Sequence, residues 1–235
     1  MDVGIQQPPV QQSGSGSAIV DLIRVLYEPT AVFERVRGRP RFLLPFLGLS
    51  AVQIVLYFVN LPFLKAAMQA QMAQAPAGGP DPSKFLAIGA LFIPVALVIA
   101  FLLGGLILWV LVSLVGGEGK FGTLLSVATY ASVPTVVVLA IVGTIVLRLQ
   151  GAGQITSPQD MQPALGLDLL FPGATGFFGA ALKAVNPFGL WGLALTAIGV
   201  STTHRLSKGT GYVVATISFL IGVCIAGGAA ALFKR

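Results

Sequence analysis

Residues 85–115 read FLAIGALFIPVALVIAFLLGGLILWVLVSLV, without one Asp, Glu, Lys, Arg or His. About 20 apolar residues in a helix span the hydrocarbon core of a bilayer. One charge at the centre of such a helix costs about 2.5–3.5 kcal/mol on insertion scales. Four further stretches, 42–64, 121–147, 184–203 and 209–233, are equally free of charge. Each is apolar all round, whereas a helix of a soluble protein keeps a polar face. The chain is 55% hydrophobic and 9% charged, against roughly a quarter charged in soluble domains. These features predict an all-α polytopic membrane helix bundle with five transmembrane helices and amphipathic surface helices at its N-terminus.

The five spans fall at about 42–64, 86–115, 121–147, 187–203 and 212–233, within a transmembrane domain over 42–235. The second is about 45 Å long as a straight helix. It must tilt or bend in a core of about 30 Å, with Pro94 and Gly104-Gly105 the places to bend. Residues 75–83 hold three prolines and two glycines and read as a loop. Ser157-Pro158-Gln159-Asp160 has the form of a helix start. Residues 165–182 are apolar but interrupted by Asp168, Pro172, Gly173 and Gly176, and read as short interfacial or re-entrant helices.

Residues 1–17 are rich in Gln, Pro, Gly and Ser and predict a disordered tail rather than a cleavable signal. Over 18–41, Ile19, Leu22, Ile23 and Leu26 recur at helical spacing with Asp21 and Arg24 off that face. Pro29 and Thr30 then start a second short helix carrying Val32, Phe33 and Val36. Such helices either lie on the membrane, apolar face down, or pack against the bundle or a partner; periodicity does not separate the two. Arg35, Arg37, Arg39 and Arg41 beside the first span read as a topology signal facing anionic lipid headgroups. No basic domain or aromatic platform supports nucleic-acid binding. With five spans, eight Lys and Arg fall on the N-terminal side and six on the other, which places the N-terminus in the cytoplasm. A sixth span over 165–182 would make the division nine to five.

Apolar side chains gain little by leaving lipid for one another, so helices must approach closely. Ala96, Ala100 and Gly104 in the second span, and Ser218, Gly222, Ala226 and Ala230 in the fifth, recur every four residues and predict packing faces. Such faces also allow a homo-oligomer.

Chemistry is sparse. His204 and Cys224 each stand alone, so no metal site and no internal disulfide is expected. Ser50 with His204 lacks the surrounding motifs of an intramembrane protease. Asp168 lies among glycines and prolines, where exposure at the interface is favoured over proton or cation traffic. No phosphate loop, paired carboxylates or cofactor motif is present. The residues therefore point to no enzyme, no catalytic residue and no cofactor.

Tyr27-Glu28-Pro29, Phe33, the basic run to Pro40, and Pro45 resemble the opening of Yip-domain proteins. Gly116-Gly117-x-Gly119-x-Phe121 and Tyr130-Ala131-Ser132-Val133-Pro134 resemble the central segment of that family. Asn186-Pro187-Phe188, Trp191 and Gly199 resemble the start of its fourth span. The resemblance covers about residues 19–233 and implies five spans with a cytoplasmic N-terminus. Eukaryotic members are linked to Rab GTPases and vesicle traffic. This chain lacks their long N-terminal region and its Asp-Leu-Tyr-Gly-Pro motif, which removes the ground for Rab binding. It is similar instead to the short prokaryotic members, in a cell membrane. The expected function is a non-enzymatic scaffold or adaptor that organises lipid or membrane-protein partners. The alternative is a transporter or channel component, with Pro94, Gly104, Gly105 and Pro134 interrupting its helices.

Overall fold

A computed structural model of the chain describes residues 15–74 and 83–232. The expected tail over 1–14 and the loop over 75–82 lie outside them. The protein is an all-α polytopic membrane helix bundle. Its helices are α1 (Ser15–Arg24), α2 (Pro29–Gly38), α3 (Leu43–Val59), α4 (Leu61–Gln74), α5 (Ser83–Leu114), α6 (Phe121–Ala131), α7 (Leu139–Gln150), α8 (Gly176–Ala184), α9 (Pro187–His204) and α10 (Lys208–Leu232). Three helical runs, Ile88–Leu114, Phe121–Gln150 and Lys208–Leu232, are long and apolar enough to cross a membrane. Two bent pairs, α3 with α4 and α8 with α9, raise the number to as many as five. Leu91, Phe92, Val95, Ile99 and Leu106 of α5 are exposed. Such a contiguous apolar face is at home in lipid and not in water.

The N-terminal helices pack into the bundle. Val25, Val32, Phe33 and Val36 are buried and join one core with Leu124, Val127, Leu195 and Val200. The face of α1 differs from the one its periodicity predicts. Ala18, Asp21, Leu22 and Val25 turn inward, whereas Ile19 and Ile23 are exposed. The reason is electrostatic: Arg35 of α2 donates to Asp21 from both Nη2 (2.6 Å to Oδ1) and Nε (3.2 Å to Oδ2). The fork ties α1 to α2 on the face where Leu22 and Val25 also join the core. The bond from Asp21 also raises the Arg35 guanidinium above its ordinary pKa. Exposed Ile19, Val20 and Ile23 leave α1 an apolar outer face of the kind that meets lipid.

The first span ends earlier than its composition suggests. α3 stops at Val59 and α4 turns away by 62°. Arg148 donates to the freed Val59 carbonyl at 3.0 Å, and Asn60 Nδ2 donates to Thr144 Oγ1 at 2.7 Å. Phe63 and Ala67 of α4 then pack under Leu147 and Ile155. α5 runs through Pro94 as one helix. Pro134 acts instead in the third span: it cannot donate a helix hydrogen bond, and a π-helical turn, Pro134–Val138, separates α6 from α7. The side chain of Gln53 on α3 donates to the Val136 carbonyl within that turn.

Between α7 and α9 the chain is mostly short turns, and 165–182 forms no continuous sixth helix. One 3-10 turn, Leu167–Leu170, precedes α8, which meets α9 at 63°. The helix expected at 157–160 is a single 3-10 turn, Pro158–Met161. Its carboxylate does the capping: Asp160 Oδ2 accepts from the Thr156 N–H (2.8 Å), the Thr156 hydroxyl (3.0 Å) and the Ser157 N–H (2.8 Å). The backbone bond from Thr156 leads in lowering the Asp160 pKa. A lowered folded value means that the contribution of this carboxylate is complete above about pH 3.9, the ordinary aspartate value. It is lost as pH falls through the lowered value. The Thr156 and Ser157 amide resonances should therefore titrate below the ordinary aspartate range, and Asp160→Asn should abolish that titration in NMR spectra.

The small-residue faces are also used differently from the expectation. On α5, Ala96 and Ala100 are exposed, and a Cβ at Gly104 would make only ordinary contact, 3.6 Å from Ala128. The close approach falls one residue on, where a Cβ at Gly105 would lie 3.0 Å from the Leu125 backbone. On α10, Gly222 and Ala226 are exposed, and a Cβ at Gly222 would meet nothing within 4 Å. Gly211 and Gly227 take the tight contacts, against α9 and the Phe177 ring. Ser218, Gly222, Ala226 and Ala230 instead line a lateral cleft of about 780 Å³ between α5, α6, α9 and α10. α8 forms part of the same cleft: Gly227 of α10 seats the Phe177 ring, and Ala180 and Ala184 of α8 line the cleft beside the stripe.

Candidate functional site: a basic hollow at the N-terminal end of the bundle

Three segments far apart in sequence meet at the end of the bundle that carries α2. The first is the end of α5. Gly116 takes φ +80°, where glycine alone is unstrained. Gly117 N–H donates to Val112 O (2.9 Å) and Gly116 N–H to Ser113 O (3.2 Å), the paired bonds of a Schellman stop. A Cβ at Gly117 would lie 2.7 Å from Val112 Cγ1, and one at Gly119 would lie 3.0 Å from the Trp109 ring. Trp109 Nε1 donates to Gly119 O at 3.0 Å and holds the turn down on α5. The glycines thus keep the turn thin and aim Lys120 across the end of the bundle.

The second segment is the α9–α10 connection. Thr203 Oγ1 donates to Gly199 O (2.7 Å), so at its 2.8 Å contact with His204 it accepts from Nδ1–H. His204 Nε2 is then an acceptor and faces the Lys120 N–H at 3.5 Å. That pattern describes a neutral imidazole. Arg205 follows with φ 52°, an uncommon left-handed conformation outside glycine, and ends α9. The third segment is α2, anchored through Val32, Phe33 and Val36, which brings Arg37 Nη1 to the Thr202 carbonyl at 3.4 Å.

Together these segments enclose a hollow of about 600 Å³. Arg37, Glu118, Lys120, His204 and Arg205 line it. Three cations against one carboxylate, beside a neutral histidine, give it a net positive charge. Guanidinium and ammonium groups on one concave surface suit phosphate oxygens.

The other residues singled out in the sequence lie elsewhere. Arg35 is taken up by Asp21, so of the four arginines only Arg37 lines the hollow. Arg39 is exposed and Arg41 half-buried. Tyr130 is buried in the core, where its hydroxyl donates to Ala18 O of α1 at 3.3 Å. Pro134 starts the π turn, and Trp191 is partly exposed on α9. Sequence reasoning missed the joining of Lys120 to His204 and Arg205. The charge count held the signal, since it put the 116–120 and 204–208 connections on one side with the arginines.

The Yip1 domain family model matches residues 23–230. The chain belongs to the Yip1 domain family. The matched region of this Yip1-domain protein runs from the last turn of α1 into the last turn of α10 and includes every wall of the hollow. The chain is 25% identical over 224 residues to membrane protein YknW of Bacillus subtilis (strain 168), with 89% of each protein covered. No solved structure matches the chain. Gly116 and Gly117 of the Gly116-Gly117-x-Gly119 motif line the hollow, and Asn186 of Asn186-Pro187-Phe188 caps α9 by accepting from Gly189 N–H at 2.8 Å.

Proposed function

We propose that this Yip1-domain protein is a non-enzymatic membrane scaffold that organises anionic lipid and membrane-protein partners. Its N-terminus would lie in the cytoplasm of a prokaryotic cell. The observation that carries this reading is the convergence of Arg37, Lys120 and Arg205 on one hollow at the arginine-rich end of the bundle. The hollow takes the phosphate of an anionic headgroup. The small-residue cleft along α10 has the close-approach surface on which a partner helix packs. A Rab-type GTPase is not part of the proposal.

Each cation near an anionic surface is worth about 1 kcal/mol. The triple variant Arg37→Gln, Lys120→Gln, Arg205→Gln is expected to lose bound phosphatidylglycerol by about 10–100-fold at low salt. Lipid retention counted by native mass spectrometry from mixed-lipid nanodiscs reads this out. Retention equal to that of the unsubstituted protein would overturn the headgroup site. Arg35 is unsuitable for this test, because removing it strands Asp21 inside the bundle.

The transporter reading draws on the two bent helix pairs and the π turn. Solute flux in proteoliposomes that Asp168→Asn abolishes would favour it over the scaffold.

A further inference from the structure

We propose that a second, separate pocket, at the other end of the bundle, binds a small organic amine in its protonated form. The pocket holds about 320 Å³ and lies where the α3–α4 elbow, α7 and the turns before α8 meet. Asn186, at the start of α9, lines it, whereas His204, at the end of α9, lines the basic hollow. An 18-residue helix separates them, about 27 Å at 1.5 Å per residue.

The interior of this pocket holds two buried oxygens without partners. Asp168, expected at the surface, is only 9% exposed. Its Oδ1 accepts from Gly166 N–H at 2.9 Å, and its Oδ2 is buried with no partner. Asn60 Oδ1 is likewise buried and unpartnered. Its orientation is set by its neighbours: Thr144 Oγ1 gives its proton to Ala140 O at 2.8 Å, so it can only accept from Asn60 Nδ2. The amide oxygen therefore has to be the free atom. Both residues line this one pocket.

The nitrogens of Asn186 and Lys183, which also line the pocket, bond to backbone carbonyls rather than to either of these oxygens. Asn186 Nδ2 donates to Lys183 O (2.8 Å) and Ala184 O (3.4 Å), and Lys183 Nζ donates to Gln162 O (3.2 Å). Among the described residues, Asp168 forms no ion pair within 4 Å. A buried carboxylate oxygen and an amide oxygen together call for a positively charged group with several N–H donors. Among the described residues no three His, Cys, Asp or Glu side chains gather to hold a metal ion. Leu139, Leu147, Met161 and Leu165 form the remaining wall and suit a carbon body. A primary ammonium on a compact apolar group meets both demands.

The test uses 4-fluorophenethylammonium as probe and the full chain in phosphatidylcholine nanodiscs, read by fluorine NMR against empty nanodiscs. Saturable binding is expected for the ammonium and not for the neutral 4-fluorophenethyl alcohol. Asp168→Asn is expected to weaken it about tenfold or more, the worth of a charged hydrogen bond. Asp168→Glu keeps the charge and is expected to retain saturable binding, so a loss confined to Asp168→Asn reads the missing charge and not misfolding. Equal signals with empty nanodiscs, equal binding of the alcohol, or an Asp168→Asn protein that binds as well as the unsubstituted one would overturn the proposal. So would binding that emerges only in Lys183→Met, because Lys183 would then be the internal partner of Asp168.

Discussion

Phe33→Ala is expected to destabilise the protein by about 3–5 kcal/mol, the range for truncating a fully buried phenylalanine. Phe33 has no exposed surface. Its ring lies against α9 so closely that a Cβ on Gly199 would come within 3.0 Å of it. It is also the central member of the α2 face that includes Val32 and Val36. Its loss leaves a cavity between α2 and α9 that rigid transmembrane helices cannot collapse to fill. The expected sign is a lowered unfolding midpoint in detergent, with earlier proteolysis of α1 and α2 than of the spans. A stability within about 0.5 kcal/mol of the unsubstituted protein, the scale of a surface change, would show that α2 is not part of the folded bundle. Arg37 would then no longer be held at the basic hollow, so this variant also tests the support on which the lipid site stands.

Gly199→Ala and Gly222→Ala form the second prediction, as a contrast between two glycines in helices. At Gly199 a methyl group would lie 2.7 Å from Val127 Cγ1 and 3.0 Å from the Phe33 ring. Three elements would have to separate, and overpacking of this kind costs about 1–3 kcal/mol. At Gly222 a methyl group would meet nothing within 4 Å. Alanine there is expected to be neutral or stabilising by up to about 1 kcal/mol through helix propensity. Thermal denaturation of both variants in one detergent separates the cases. Destabilisation by Gly222→Ala would mean that the α10 stripe already packs against a second copy of the chain or another helix.

Much of the fold was legible in the charge-free stretches, because burial of a charge in hydrocarbon is costly at every position along a span. The breaks within spans were less legible. Pro94 and Pro134 carry the same lesion, a missing donor, yet α5 continues through the first and the third span takes a π turn at the second. Side chains near and far meet carbonyls around Pro134: Ser132 Oγ donates to Thr129 O, Thr135 Oγ1 to Ser132 O, and Gln53 of α3 to Val136 O. Asp21 and Asp168 misled for a related reason. A lone acid in an apolar stretch reads as a surface residue until its surroundings are known. Arg35 takes Asp21 inward from fourteen positions away, and the turns before α8 fold over Asp168.

The candidate site was legible in part. The arginine cluster and the glycine motif were visible as separate signals, as were His204 and Arg205. Only Arg37 of the four arginines joins them, since Arg35 faces Asp21 one half-turn of helix away.

By itself, the sequence determined that this is a membrane bundle of helices, and that one of its ends is more basic than the other. Both follow from the one-body cost of placing a charge in lipid, which each residue bears wherever its neighbours lie. Tertiary structure alone decided which glycines seat helices, which acids are buried, and which cations share a hollow. Those outcomes depend on pairs of groups brought together by packing, and no residue carries in its own identity the partner it will meet.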